Sequence, residues 1–151
     1  MKKTPTYSKA IALLALSDIS ERRLREKLRT KGLSSDEISE AIEELKAQGY
    51  LSDDRLIENL VNYYAKRKYF GKYRIKLELL SKFDRESVDR CFDAVCECVD
   101  FRSLAAEIAI KEASKGTEKE KLVRKLQRLG HDATSIRQAL TEVKKAENQD
   151  T

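Results

Sequence analysis

The sequence predicts an all-α fold built from three tandem three-helix repeats, and three observations predict it. One apolar pattern recurs at intervals of roughly 50 residues, with Leu24 and Leu28, Ile75 and Leu79, and Leu122 and Leu126 opening matching stretches. In the first and third copies the second member of the pair is followed at 10, 14 and 17 residues by Ile38, Ile42 and Leu45, and by Ile136, Leu140 and Val143. In the middle copy Val88, Phe92 and Val95 each come one residue sooner, so its turn is shorter. The second observation is the scarcity of breakers: a single Pro, at position 5, and five Gly leave little of the punctuation a sheet protein needs. The third is composition, since 40% hydrophobic against 38% charged residues suits thin helical cores beneath a heavily solvated surface. Repeats spanning residues 1–50, 51–98 and 99–148 are expected to stack into an elongated, curved array, which argues against a compact enzyme with one pocket.

The helix starts share one device, an apolar residue just before the N-cap that touches another five residues on. After a first helix over about residues 6–17, Ile19-Ser20 with Leu24 opens a helix over about 21–31. Leu33-Ser34 with Ile38 opens the next, over about 35–48, and Glu37 completes a capping box with Ser34. Leu51-Ser52 with Leu56 begins a helix over about 53–68, with Asp53 and Asp54 at the positive end of its dipole. Phe70-Gly71 with Ile75, Phe83-Asp84 with Val88, and Val99-Asp100 with Leu104 start helices over about 72–82, 85–98 and 101–115. Thr117 and Glu120 form a second capping box, displaced by one residue, for a helix over about 118–129. His131-Asp132 with Ile136 starts the last, over about 133–147. Gly32, Gly49, Gly116 and Gly130 suit the left-handed position that ends a helix. Helices this short are marginal alone, so packing of their apolar stripes must hold them. The tight turn between the second and third helix of each repeat makes a corner like a helix-turn-helix, a geometry that serves DNA binding or simple pairing of short helices.

Catalytic chemistry finds few candidates. The only histidine, His131, sits at a helix start, where packing or capping explains it, and general-base work would need a hydrogen-bonded partner. No phosphate-binding glycine loop is present, and paired acids such as Glu43-Glu44 and Asp53-Asp54 fall at helix starts or in solvated stretches. Cys91, Cys96 and Cys98 lack a C-x-x-C spacing and lie far from His131, so they read as buried structural thiols of a reducing compartment and no metal or cofactor is expected. No apolar run is long enough to span a membrane, and Ala10–Leu16 lacks a cleavage pattern, so a cytoplasmic protein is expected.

The informative charge is local. Lys66, Arg67, Lys68, Lys72, Arg74 and Lys76 fall in eleven residues with no acid among them, interleaved with Tyr69, Phe70 and Tyr73 and preceded by Tyr63 and Tyr64. That mixture of cations and flat rings is the chemistry of a polyanion or an acidic partner, against the plainer reading of a solubilised helix junction. A second stripe, Lys119, Lys121, Arg124, Lys125 and Arg128, runs along the second helix of the third repeat, diluted by Glu118 and Glu120. The first repeat alternates signs from Glu21 to Lys27, as a solvated face does. The net charge of +5 agrees with a partner that is negative.

At Gly49-Tyr50-Leu51-Ser52-Asp53-Asp54-Arg55 the chain resembles the RecX family, modulators of the bacterial recombinase RecA, which carries a Gly-Tyr-(Leu/Ile)-x-Asp-x-Arg junction after its first repeat. Ser20, Glu21, Leu24, Lys27, Leu28, Lys31 and Gly32 are similar to that family's first-repeat helix, and Gly71, Arg74, Ile75, Glu78 and Leu79 to its Gly-x-x-(Arg/Lys)-Ile-x-x-Glu-Leu segment. The likeness spans nearly the whole chain and weakens after about residue 95. Leu56-Ile57, Tyr64 and Lys82-Phe83 depart from the family pattern, the last accounting for the shortened middle turn.

The resemblance implies a non-enzymatic, monomeric regulator that binds RecA, usually in its DNA filament, and restrains ATPase, strand-exchange and coprotease activities. It would touch DNA only weakly and non-specifically. Lys66, Arg67, Lys68, Lys72, Arg74 and Lys76, with Lys121, Arg124, Lys125 and Arg128, are the expected contacts, and Tyr69 and Tyr73 the packing anchors. Gly49, Tyr50, Leu51, Asp53, Arg55, Gly71, Ile75, Glu78 and Leu79 are read as structural. The alternative is an autonomous DNA-binding protein that uses its helix-turn-helix-like corners.

Overall fold

Side-chain oxygens of Thr4, Ser20, Ser34, Ser52, Asp100 and Asp132 each accept a backbone N–H three residues on, fixing where helices begin. The structure, a computed structural model, describes residues 4–149, and all its regular elements are α-helices. They are α1 (Pro5–Leu16), α2 (Glu21–Thr30), α3 (Ser35–Ala47), α4 (Asp53–Lys68), α5 (Lys72–Leu80), α6 (Arg85–Glu97), α7 (Phe101–Ser114), α8 (Lys119–Arg128) and α9 (Ala133–Gln149). Gly32, Gly49, Gly116 and Gly130 all have positive φ just beyond a helix end. The middle repeat has no glycine at the corresponding turn. There the Phe83 N–H bonds the Leu79 carbonyl at 2.8 Å and the ring is swallowed by the core, so a buried aromatic closes the turn instead.

Two capping expectations need correction. The Thr117–Glu120 box does not form: α8 starts at Lys119 behind Glu118, which makes no side-chain cap. Thr117 instead gives its hydroxyl to Glu112 at 3.4 Å, because that carboxylate gathers partners, Lys125 at 2.7 Å among them. The Ser34–Glu37 box forms only in its first half, Glu37 N–H to Ser34 at 3.2 Å, while the Glu37 carboxylate accepts from Thr6 at 3.3 Å and ties α1 to α3. The thiols also divide. Cys96 is buried and burial pushes it up to about 11, Cys91 is half-buried, and Cys98 is exposed rather than buried as expected.

Three separate cores follow the repeats. Tyr7, Ala10, Leu24, Leu28, Ile38, Ile42, Leu45 and Leu51 form the first, and Ile57, Val61, Ile75, Leu79, Phe83, Val88 and Phe92 the second. The third contains Ala105, Ile108, Ala109, Leu122, Leu126, Ile136, Ala139 and Val143. In each repeat the first and third helices pack along one another, and the second closes the group. Each buried leucine- or phenylalanine-sized side chain contributes roughly 1.5–3 kcal/mol relative to exposure, which is what short helices lack on their own.

The ends of the second helices meet in the order α8, α5, α2, while α4 and α7 also touch across the second boundary. At the α8–α5 joint the contact is backbone on backbone: Gly71 N–H donates to the Leu129 carbonyl at 2.6 Å, and Tyr73 N–H to the Gly130 carbonyl at 3.2 Å. The unpaired amides of one helix start thus meet the unpaired carbonyls of another helix end, aligning both dipoles. Only glycines permit it. A Cβ on Gly71 would lie 2.3 Å from the Gly130 carbonyl, and one on Gly130 would lie 2.4 Å from the Arg74 nitrogen. Around this contact His131 Nε2 bonds the Tyr69 carbonyl at 2.8 Å, and Tyr69, in left-handed conformation at φ 57, reaches Glu107 through its hydroxyl at 3.0 Å. The α5–α2 joint works through side chains instead. Asp53 accepts the Glu21 N–H at 2.9 Å, capping α2 from the neighbouring repeat, and Arg22 donates to the Ser81 carbonyl at the end of α5.

Gly71→Ala is expected to cost about 1–3 kcal/mol of stability or more, since backbone rather than a flexible side chain must give way. Gly32→Ala, with φ +84 but nothing within 4 Å, is expected to cost about 1 kcal/mol. Urea unfolding of both variants checks the difference. Burial holds the His131 imidazole below its ordinary value of 6.5, and its Nδ1 is buried without a partner. A depressed histidine leaves the fold undisturbed above that ordinary value and destabilises it as pH falls below, because the unfolded chain then binds the extra proton. The wild type is therefore expected to lose more stability between pH 7.5 and 5 than His131→Gln does, measured as the shift in urea midpoint.

Candidate functional site

The head-to-tail joint brings together two basic stretches that are far apart in sequence. Lys66, Arg67 and Lys68 fill the last turn of α4, where they also suit the negative end of its dipole. Lys72 opens α5, directly beyond the joint, and α8 ends against it. Lys121, Arg124 and Arg128, with Gln127, line an open recess of about 640 Å³ along α8. None of these cations has a carboxylate partner among the described residues, whereas three of the first repeat do. Arg23, Arg25 and Lys46 pair with Glu26, Glu21 and Glu43 respectively.

Other predicted contacts are engaged within the fold. Arg74 donates to the Arg128 carbonyl at 3.2 Å, lies 4.4 Å from the centroid of the Phe70 ring and stands 3.6 Å from Glu78. It clamps the joint. Lys125 lies 2.7 Å from Glu112, whose carboxyl is held below its usual range first by that bond. Lys76 leans over the Phe92 ring at 5.8 Å while staying exposed. Tyr69 is half-buried against the third core, with its hydroxyl raised above the ordinary phenol range mainly by the bond to Glu107. Tyr73, in contrast, is 62% exposed and free to meet a partner.

The structural motif resolves into separate tasks. Gly49 ends α3 at φ +79 and its carbonyl accepts from Arg55 at 3.2 Å. Leu51 plugs the first core, and Tyr50 beside it is exposed. Asp53 caps α2 across the repeat boundary, and burial raises its carboxyl despite that bond. Gly71 makes the joint, Ile75 and Leu79 enter the second core, and Glu78 pairs with Arg74. Sequence reasoning missed the partnership of Gly71 with Gly130, the roles of Arg22 and Glu112, and exposed Leu77. Only Leu77 carried a signal, an apolar residue where the matching positions hold Glu26 and Arg124.

Among the described residues no group of His, Cys, Asp and Glu is placed to hold a metal ion, and no helix is long and apolar enough to cross a membrane. Fold and surface define a tandem three-helix-repeat protein that carries one cluster of unpaired cations at an inter-repeat joint. A profile of the RecX first three-helix domain matches residues 7–45, within the first repeat. The regulatory protein RecX of Vibrio vulnificus is 33% identical over 139 residues, 88% of this chain and 89% of its own length. That of Mannheimia succiniciproducens is 34% identical over 112 residues, 72% and 71% of the two chains. The crystal structure of RecX from Lactobacillus salivarius shares the fold, with a TM-score of 0.81 at 22% identity over 92% of this chain and 94% of that one. The chain belongs to the RecX family of regulatory proteins.

Arg74→Ala is expected to lower stability by about 1 kcal/mol through loss of the charged bond to the Arg128 carbonyl. Lys72→Ala is expected to leave stability unchanged, since no described residue depends on its ammonium. Thermal melts of the two variants side by side check the division.

Proposed function

We propose that this protein binds the RecA recombinase in its DNA filament and restrains ATPase, strand exchange and coprotease activity, acting in the cytoplasm as a monomer. Membership of a family of regulators supports the reading, and one structural observation carries it. The α8–α5 joint sets Lys121, Arg124 and Arg128 of α8 end to end with Lys72 and Lys76 of α5, with Lys66, Arg67 and Lys68 of α4 just before α5, and none pairs with a carboxylate among the described residues. At 1.5 Å per residue the two helices together run roughly 30 Å, a length suited to a filament backbone rather than a small molecule. Restraint then follows from tighter binding to one filament state than to another.

Charge opposes the rival reading of a helix-turn-helix DNA reader. The third helix of a corner would enter the major groove, yet in the first two corners α3 turns Asp36, Glu40 and Glu43 outward and α6 turns Glu86, Asp89 and Asp93 outward. Phosphates on either side of a groove would repel both.

The test is a triple reversal that spares Arg74 and Lys125, namely Lys72→Glu with Lys121→Glu and Arg124→Glu. Substoichiometric wild-type protein is expected to slow RecA's DNA-dependent ATPase and strand exchange, and the triple variant to need at least tenfold more for the same effect. Its weak binding to single-stranded DNA should lose about 1.4 from the log–log salt slope, the share of Lys121 and Arg124. A wild-type protein with no effect on the recombinase overturns the reading.

A further inference from the structure

The exposed face of α5 holds a feature that charge does not account for. Tyr73 and Leu77, one turn apart, are 62% and 68% exposed, and Lys72 and Lys76 flank them on the same face. Leu80, a turn further along, is partly buried against the second core and extends the apolar line inward. The three copies of the repeat act as internal controls for this pair. Where the middle copy has Tyr73 and Leu77, the first has Arg22 and Glu26 and the third has Glu120 and Arg124. The same helix therefore packs correctly with charges at both positions, so the fold has no use for the apolar pair.

We infer that the Tyr73–Leu77 face of α5 is a docking surface for a protein segment that carries apolar side chains beside carboxylates. The inference rests on the RecA reading and assigns this face to the recombinase itself rather than to its DNA. Lys72 and Lys76 supply complementary charge to the carboxylates. Tyr73 offers a large, conformationally stiff contact, the residue type that dominates binding energy at protein interfaces. Nucleic acid is the poorer occupant. An aliphatic Leu77 neither stacks on a base nor pairs with a phosphate, and the third repeat places Arg124 there in a recess lined by cations.

Substituting what the sister repeat already tolerates gives the decisive test. Leu77→Arg copies Arg124 and keeps the helix intact, which circular dichroism confirms. The full chain and the variant are titrated separately against RecA without DNA and against a single-stranded oligonucleotide. Leu77→Arg is expected to weaken RecA binding at least tenfold while oligonucleotide affinity stays the same or rises. Tyr73→Ala should weaken RecA binding similarly, and Arg124→Glu should weaken mainly the oligonucleotide. If wild type binds RecA and Leu77→Arg binds it equally or more tightly, the face is merely electrostatic and the inference falls alone. If Leu77→Arg lowers oligonucleotide affinity as much as RecA affinity, the occupant is nucleic acid and the inference again falls. If wild type does not bind RecA, this inference and the functional reading beneath it fall together.

Discussion

The seam between the second and third repeats turns on one close approach, Gly71 against Gly130. A helix leaves amides bare at its start and carbonyls bare at its end, and burying either without a partner costs free energy. Here the Leu129 and Gly130 carbonyls satisfy amides of Gly71 and Tyr73, so each terminus resolves the other's deficit. The half-charges of the two dipoles face with opposite sign across the contact. His131, Tyr69 and Arg74 then close around it, each taking or giving a hydrogen bond across the second and third repeats. The distance between the two repeats is set by backbone atoms, which leaves no side-chain length to vary.

The first joint obeys the same logic with softer parts. The start of α2 receives a carboxylate from Asp53 in place of carbonyls, and the end of α5 receives the Arg22 guanidinium in place of amides. Side chains have replaced backbone, and between them lies a groove of about 460 Å³ lined by Ile19, Arg22, Leu56, Leu60 and Phe83. The middle turn, closed by Phe83 instead of a glycine, explains the difference. A buried aromatic occupies the place where Gly130 lets the neighbouring backbone approach in the third repeat.

Much of this was legible before the structure. Periodicity locates the helices because each must hide one apolar stripe, and the stripe residues Leu24, Ile75 and Leu122 are all fully or almost fully buried. Serine and aspartate caps were legible because their chemistry is local. The Thr117–Glu120 box misled because the Glu112 carboxylate of the preceding helix, five residues before Thr117, takes the same hydroxyl, and local pattern carries no record of such competition. Cys98 misled because residue type favours burial while its place at the end of α6 exposes it. In the candidate site, charge density was readable but pairing was not. Arg74 and Lys125 look like Lys72 and Lys121 in sequence, and only tertiary contacts with Phe70, Arg128 and Glu112 turn them inward.

The position of the grip within the array follows from those joints. Among the second helices α5 alone is engaged by a neighbour at both ends, the α8 carbonyls at its start and Arg22 at its finish. With nine residues it would be a poor helix in isolation. Held from both sides and seated on Ile75 and Leu79, it presents Lys72, Tyr73, Lys76 and Leu77 on a rigid support. A surface ordered before the partner arrives loses less conformational entropy on binding, so more of the contact energy appears as affinity. In the proposed docking the outer repeats serve recognition even where they touch nothing, because they fix the one helix whose free face differs most from its copies.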